Sequence, residues 1–268
     1  MLNDSKRQIV AVDVAWWARW APLVVAFQFL NLSLSAAFDH HHPQFAKVLS
    51  KFVDSQGMVA YSALKASSAD LEAYLDDLAG VSREEFETWK EPERLAWLLN
   101  LYNAFTLHLV LDHYPVKSIR SIGGLFSSPW KLKIVHIWGE TFTLDQVEHE
   151  MIRGVFKEPR VHFALVCAAK SCPPLRAEPY VPSKLSAQLD DQGRIFLTTR
   201  AKNRVDLEAH ILWLSPIFKW FEADFVAKNR SLMKFVTPYL APVDAKAVGT
   251  EEFRIKHTDY DWSLNEQR

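Results

Sequence analysis

The chain is short of thiols, and that shortage closes off several chemistries. Only two cysteines are present, Cys167 and Cys172, so a four-thiolate zinc site is excluded. Excess charge is also missing. The formal net charge is -1, and no long run of one sign occurs. Phosphate recognition needs a cationic surface, so nucleic acid is excluded as the main partner. Arg200, Lys202 and Arg204 form a short basic cluster that reads as a solvated loop. Repeats, low-complexity stretches and obvious linkers are absent, which favours one domain over residues 37–268.

Apolar bulk is what the sequence has. Hydrophobic residues make up 49% of it, including ten Trp and seventeen Phe, enough for a large core. At the N-terminus, Lys6, Arg7 and Arg19 precede an uncharged, mostly apolar stretch, Ala21 to Leu34. Small residues follow at Ser35, Ala36 and Ala37. A positive flank, a short apolar centre and a small-residue exit are the parts of a secretory signal. Residues 1–36 are therefore expected to be a signal segment, with the protein periplasmic or secreted. The apolar stretch is shorter than the roughly 20 residues a spanning helix needs. Contact with a membrane is expected only if that segment stays uncleaved, with Trp16, Trp17 and Trp20 at the interface. In an oxidising space Cys167 and Cys172 can pair, and the alternative is a free, reactive thiol.

Helical spacing runs over 43–53 and 62–78. Glu91-Pro92-Glu93 opens a long helix that ends before Tyr114-Pro115. Alternation over 131–138, a turn at Gly139-Glu140 and a return over 141–144 predict a hairpin. Thr143 and Gln146 form a capping box for a helix reaching about Phe156. A strand is expected over 160–167, then helices near 182–197, 206–213 and 216–240, and a last strand within 252–264. Mixed elements with helix in excess predict an α+β, mostly helical single domain with a small mixed or antiparallel sheet.

Polar residues that fall on apolar faces are the candidates for chemistry. Helix 91–113 is apolar nearly all round, so Asn100 and Asn103 face a core. Buried amides must be hydrogen-bonded, either to structure or in a site. In the next helix Leu144, Glu148, Met151 and Val155 share a stripe, which turns Glu148 toward the interior. It is read either as a general acid or base, with His149 beside it, or as a bridge to Arg153 or Arg160. Alternation along 160–167 puts His162 and Cys167 on opposite faces, leaving Cys172 free to approach a histidine. A nucleophilic set of Cys172, His162 or His149, and Glu148 or Asn103 is compatible with this pattern. His40-His41-His42 reads as a solvated segment rather than a metal site. No cofactor and no metal are called for.

Leu95-Ala-Trp-Leu-Leu-Asn-Leu-Tyr-Asn-Ala104 resembles the signature block of the domain of unknown function 547 (DUF547) family. Tyr114–Ile119, Phe126–Trp130, Leu144–His149 and His162–Leu175 are similar to its further blocks, in order, and Ile217–Phe221 and Tyr260–Leu264 fit as well. The resemblance implies an exported bacterial member and transfers no reaction. It also implies serine at the place of Cys172 in plant members, which shifts weight toward Glu148, His149, His162 and Asn103. A buried helix followed by strands is analogous to papain- and transglutaminase-like folds. Two functions follow as expectations. One is a hydrolase- or acyl-transferase-like enzyme acting on a small molecule or peptide, with catalytic candidates Glu148, His149, His162, Cys172 and Asn103. The other is a non-catalytic periplasmic binding or assembly module with a structural polar core.

Overall fold

The computed structural model describes residues 37–123, 127–229 and 231–267. The segment read as a secretory signal lies outside them. The fold is α+β and mostly helical, with two small sheets. Helices Pro43–Phe52, Tyr61–Ala66, Ala69–Gly80 and Arg83–Thr88 pack around the central helix Glu91–His113. A break at Ser67-Ser68 divides the single helix expected over 62–78. The central helix matches its predicted bounds. Of its side chains, Leu95 through Leu107 are all buried, as an apolar circumference requires. Among the described residues no helix is long and apolar enough to cross a membrane.

The expected hairpin forms from Lys133–Ile137 and Glu140–Thr143, paired antiparallel. Trp138 and Gly139 turn it with φ of 57° and 71°, the two-residue geometry that matches strand twist. The chain then enters Leu144–Gln146 through the Thr143/Gln146 capping box. Val147–Arg153 is wound as a π-helix before Gly154–Phe156 closes in α form. The wider turn shifts the register. Leu144, Val147 and Ile152 face the core, whereas Val155 is 58% exposed, so the predicted apolar stripe ends one turn early.

Three expectations fail in informative ways. Residues 160–167 form no strand: Val161–Ala164 is a short helix and Leu165–Cys167 is unpaired by any strand. The reason is Asn103, whose Nδ2 donates to Ala164 O at 3.0 Å while its Oδ1 accepts from Val166 N–H at 3.0 Å. One side-chain amide thereby supplies the donor and acceptor that a neighbouring strand would. Asn100 does the same at Tyr180, donating to its O at 2.8 Å and accepting from its N–H at 2.9 Å. Residues 206–213 are not helical either. Arg204–Asp206 and Ile211–Leu214 form a hairpin turned by Asp206, whose carboxylate accepts from Ala209 N–H. Arg254–His257 adds parallel to Ile211–Leu214. Third, 216–240 divides into Ile217–Trp220, Glu222–Asn229 and Leu232–Val236, with Thr237–Tyr239 as a 3-10 turn. Short helices let Phe218, Phe225 and Phe235 all reach Phe163 in a second core cluster.

The histidine run is not uniformly solvated. His41 is exposed, but His42 is fully buried with Nδ1 2.8 Å from the Tyr74 hydroxyl. Phe38 packs edge-on to its ring, and His40 packs edge-on to Trp89 nearby. Burial lowers the His42 pKa to about 3, so the folded protein carries it neutral. The unfolded chain binds that proton near pH 6.5, and stability from this group falls as pH drops from about 6.5 toward 3. Denaturation midpoints measured across that window should decline in the wild type and decline less in His42→Gln.

Each asparagine clamp closes a buried N–H and a buried C=O. Leaving such groups unpaired costs about 1–3 kcal/mol apiece. Asn103→Ala and Asn100→Ala should therefore each lower the unfolding free energy by about 2–4 kcal/mol in urea titrations. A cost under about 0.5 kcal/mol would show that water replaces the clamp.

Candidate functional site

One cavity collects most of the residues singled out by chemistry. Its volume is about 220 Å3, small for a ligand pocket. The π-wound turn contributes Glu148 and His149, with Asp145 just before it. A π-turn inserted into an α-helix is often found at functional positions. The short helix Val161–Ala164 contributes His162, and the segment after it contributes Leu165 and Cys167. His162, Leu165 and Cys167 all line the cavity because the helix ends at Ala164 and the chain then turns extended, whereas a continuous strand would have separated His162 from Cys167. Aromatic residues complete the lining: Tyr102, Trp130, Trp220, Phe221, Tyr260 and Trp262, with Trp130 packed edge-on to Trp262.

His162 is buried, with Nε2 2.7 Å from Asp224 Oδ2. Phe221 stacks on the imidazole with ring centroids 4.1 Å apart. Asp224 also accepts from Arg153 Nε at 2.6 Å. The hydrogen bond from His162, followed by Arg153, holds the Asp224 carboxyl well below the usual carboxylate range. The pair is therefore a carboxylate orienting an imidazole, with Nδ1 left as the nitrogen that can act on a ligand.

His149 is differently placed. Its Nδ1 is in contact with the Arg153 guanidinium, and its Nε2 lies 3.3 Å from Asp145 Oδ1. A guanidinium only donates, so Nδ1 accepts and the proton sits on Nε2. Both nitrogens are engaged. Glu148 is bridged to neither Arg153 nor Arg160; Arg160 pairs with Glu158 and Asp190 instead. Glu148 Oε2 accepts from the Tyr102 hydroxyl at 3.2 Å. Burial first, and Glu148 second, push the Tyr102 and Tyr260 phenols up, so both remain protonated donors.

Cys167 and Cys172 are joined as a disulfide on the cavity wall. In that state Cys172 has no thiolate to offer. The Tyr260 hydroxyl lies 3.2 Å from Cys172 Sγ and 3.3 Å from Cys167 Sγ. Lys202 donates to Cys172 O, and burial brings its pKa down to about 8. Among the described residues no group of three or more His, Cys, Asp or Glu side chains is arranged to hold a metal ion.

The structure thus brings Glu148, His149, His162 and Cys172 to one cavity. Asn103 stands one layer behind it, its amide holding the backbone on either side of Leu165. Sequence reasoning missed Asp224, Tyr102 and the aromatic wall. Asp224 had a faint signal, an acid directly before Phe225 in a run rich in aromatic residues. Tyr102 had another, a hydroxyl between the two buried asparagines.

Residues 86–197 match the family model described as "Protein of unknown function, DUF547". Over this stretch the chain is similar to the DUF547 family. The matched span holds Tyr102, Glu148, His149, His162 and both cysteines. It stops short of Asp224 and of the aromatic wall at Trp220, Tyr260 and Trp262, so the likeness is narrower than the blocks quoted from the sequence. Neither the curated proteins nor the solved structures contain a match.

The depressed Asp224 carboxyl has a pH signature. A lowered folded pKa contributes stability that is present above the unfolded value near 3.9 and is lost as pH falls below it. Asp224→Asn should lower stability at neutral pH and flatten the acid limb below about pH 4. Thermal melts of the two proteins from neutral to acidic pH decide this, and parallel curves would refute the ion pair.

Proposed function

We propose that this protein is an exported hydrolase- or acyl-transferase-like enzyme that acts on a small molecule or peptide group held in the aromatic cavity. The observation carrying the reading is that Glu148 and His162 border one cavity, each with a partner that orients it, Tyr102 and Asp224 respectively. His162 removes a proton from an attacking water or hydroxyl through Nδ1, and Asp224 stabilises the imidazolium that forms. Glu148, hydrogen-bonded to Tyr102, exchanges a proton with the leaving group. His149 positions the site by joining Arg153 to Asp145, and Asn103 positions it by holding the Ala164–Val166 backbone. With Cys172 in a disulfide, the nucleophile is water or the acceptor alcohol rather than a thiolate. Export is supported by the basic and apolar N-terminal pattern, and a disulfide accords with an oxidising compartment.

The disulfide favours a second reading. A bonded Cys167–Cys172 pair and two asparagines engaged in backbone clamps also suit a periplasmic binding module whose polar groups serve structure. Turnover separates the two readings. Full-length protein is assayed on ester, thioester and amide substrates bearing small aromatic or aliphatic acyl groups. Glu148→Gln and His162→Gln should each lower kcat by at least about 100-fold, with thermal midpoints near that of the wild type. Saturable binding without turnover would establish the module. A collapse of the midpoint in both variants would return these residues to a structural role.

A further inference from the structure

We propose that the Cys167–Cys172 disulfide is itself a reactive group, exchanging with a small dithiol that enters the cavity and attacks Cys167 Sγ, with Cys172 leaving as the thiolate. This goes beyond the acid–base reading and does not depend on it, because the exchange needs only the two sulfurs and their surroundings.

Three independent observations point this way. The first is location. Both cysteines border the cavity, so the bond faces a space that a ligand can enter rather than a closed core. The second is asymmetry. Cys172 is 2% exposed, whereas Cys167 is only partly buried. An incoming thiolate therefore meets Cys167 Sγ first. Exchange rates depend on which sulfur is reached and on how well the other leaves. The leaving sulfur is the better supported of the two. Cys172 Sγ accepts from the Cys167 backbone N–H at 3.0 Å, a donor that Cys167 Sγ lacks, while the Tyr260 hydroxyl lies 3.2 Å from Cys172 Sγ and 3.3 Å from Cys167 Sγ. Donors aimed at a sulfur lower the cost of its negative charge, and the raised Tyr260 pKa keeps that hydroxyl a donor. The Lys202 ammonium at Cys172 O adds positive potential on the same side.

The third observation concerns what else holds the loop. The cysteines are separated by five positions in sequence, and a loop that short gains least from closure. Its shape has other supports. Asn265 N–H donates to Ala168 O, Lys170 N–H to Ser263 O, and Ser171 N–H to Asp261 O. Asp261 N–H in turn donates to Ser171 Oγ at 2.8 Å. With the backbone pinned to the chain's last strand-like segment, the bond can open while the loop stays in place.

The exchange balances in two steps. One donor thiolate attacks Cys167 Sγ; the Cys167–Cys172 bond breaks and a mixed disulfide forms between donor and Cys167. The donor's second thiolate then attacks its own sulfur in that mixed disulfide, releasing Cys167. The donor ends as a cyclic disulfide, oxidised by two electrons. The protein ends with two thiols, and the two donor protons reside on Cys167 and Cys172.

The test uses the folded full-length chain. Dithiothreitol is added without denaturant, and free thiols are trapped by alkylation and mapped by mass spectrometry. Reduction should reach completion with the cooperative melt retained, and it should be at least about tenfold slower in Tyr260→Phe, which removes a donor to the leaving sulfur. Glutathione disulfide should derivatise Cys167 in Cys172→Ala and leave Cys172 untouched in Cys167→Ala. Because either alanine variant could misfold, the same polarity is read in the wild type from the mixed disulfide trapped after brief glutathione treatment, which should sit on Cys167. A bond reducible only in denaturant, a mixed disulfide on Cys172, or an unchanged rate in Tyr260→Phe would each overturn the proposal. Loss of turnover on acyl substrates leaves these readouts unaffected, so the failure of one reading is distinguishable from the failure of the other.

Discussion

The Asn103 clamp is the constraint from which the rest of the site follows. A segment with no strand beside it must still satisfy its N–H and C=O groups. Asn103, fixed on a helix buried on all sides, satisfies one of each on either side of Leu165. That anchors the short helix bearing His162 on one flank and the turn to the disulfide on the other. With those fixed, Asp224 can meet His162 from a distant part of the chain, and Arg153 can bind Asp224 while touching His149.

Two kinds of polar burial coexist here and serve different ends. Asn100 and Asn103 are enclosed and matched to fixed partners, so they behave as struts. Glu148 and His162 are also matched, but each has a second side turned to open space. Burial alone does not separate these groups; an adjoining void does. The π-wound turn contributes to that void, because its extra residue displaces Val155 from the apolar face and carries Glu148 and His149 to the wall.

The sequence was legible where a single period ran unbroken. The central helix, the hairpin with its Trp138-Gly139 turn, and the Thr143/Gln146 cap could all be read because each depends on neighbours a few positions away. Glu148, His149, His162 and Cys172 could be picked out as polar residues amid apolar ones. What could not be read depends on distant partners. An apolar run at 160–167 looks like a strand until Asn103 takes the strand's hydrogen bonds. The run over 206–213 looks helical until Arg254–His257 pairs alongside it. Asp224 is 62 positions from His162, and no local pattern announces such a pairing.

The aromatic wall has a consequence for how this protein can diversify. Tyr260 and Trp262 reach the cavity from the far end of the chain, and Trp220 and Phe221 from a helix well beyond the matched family span. Glu148 and His162 thus lie in the matched stretch, whereas Asp224 and four of the cavity's rings are written in a later one. Substitutions in the later stretch reshape what the cavity admits while Glu148, His162 and their clamp remain as they are.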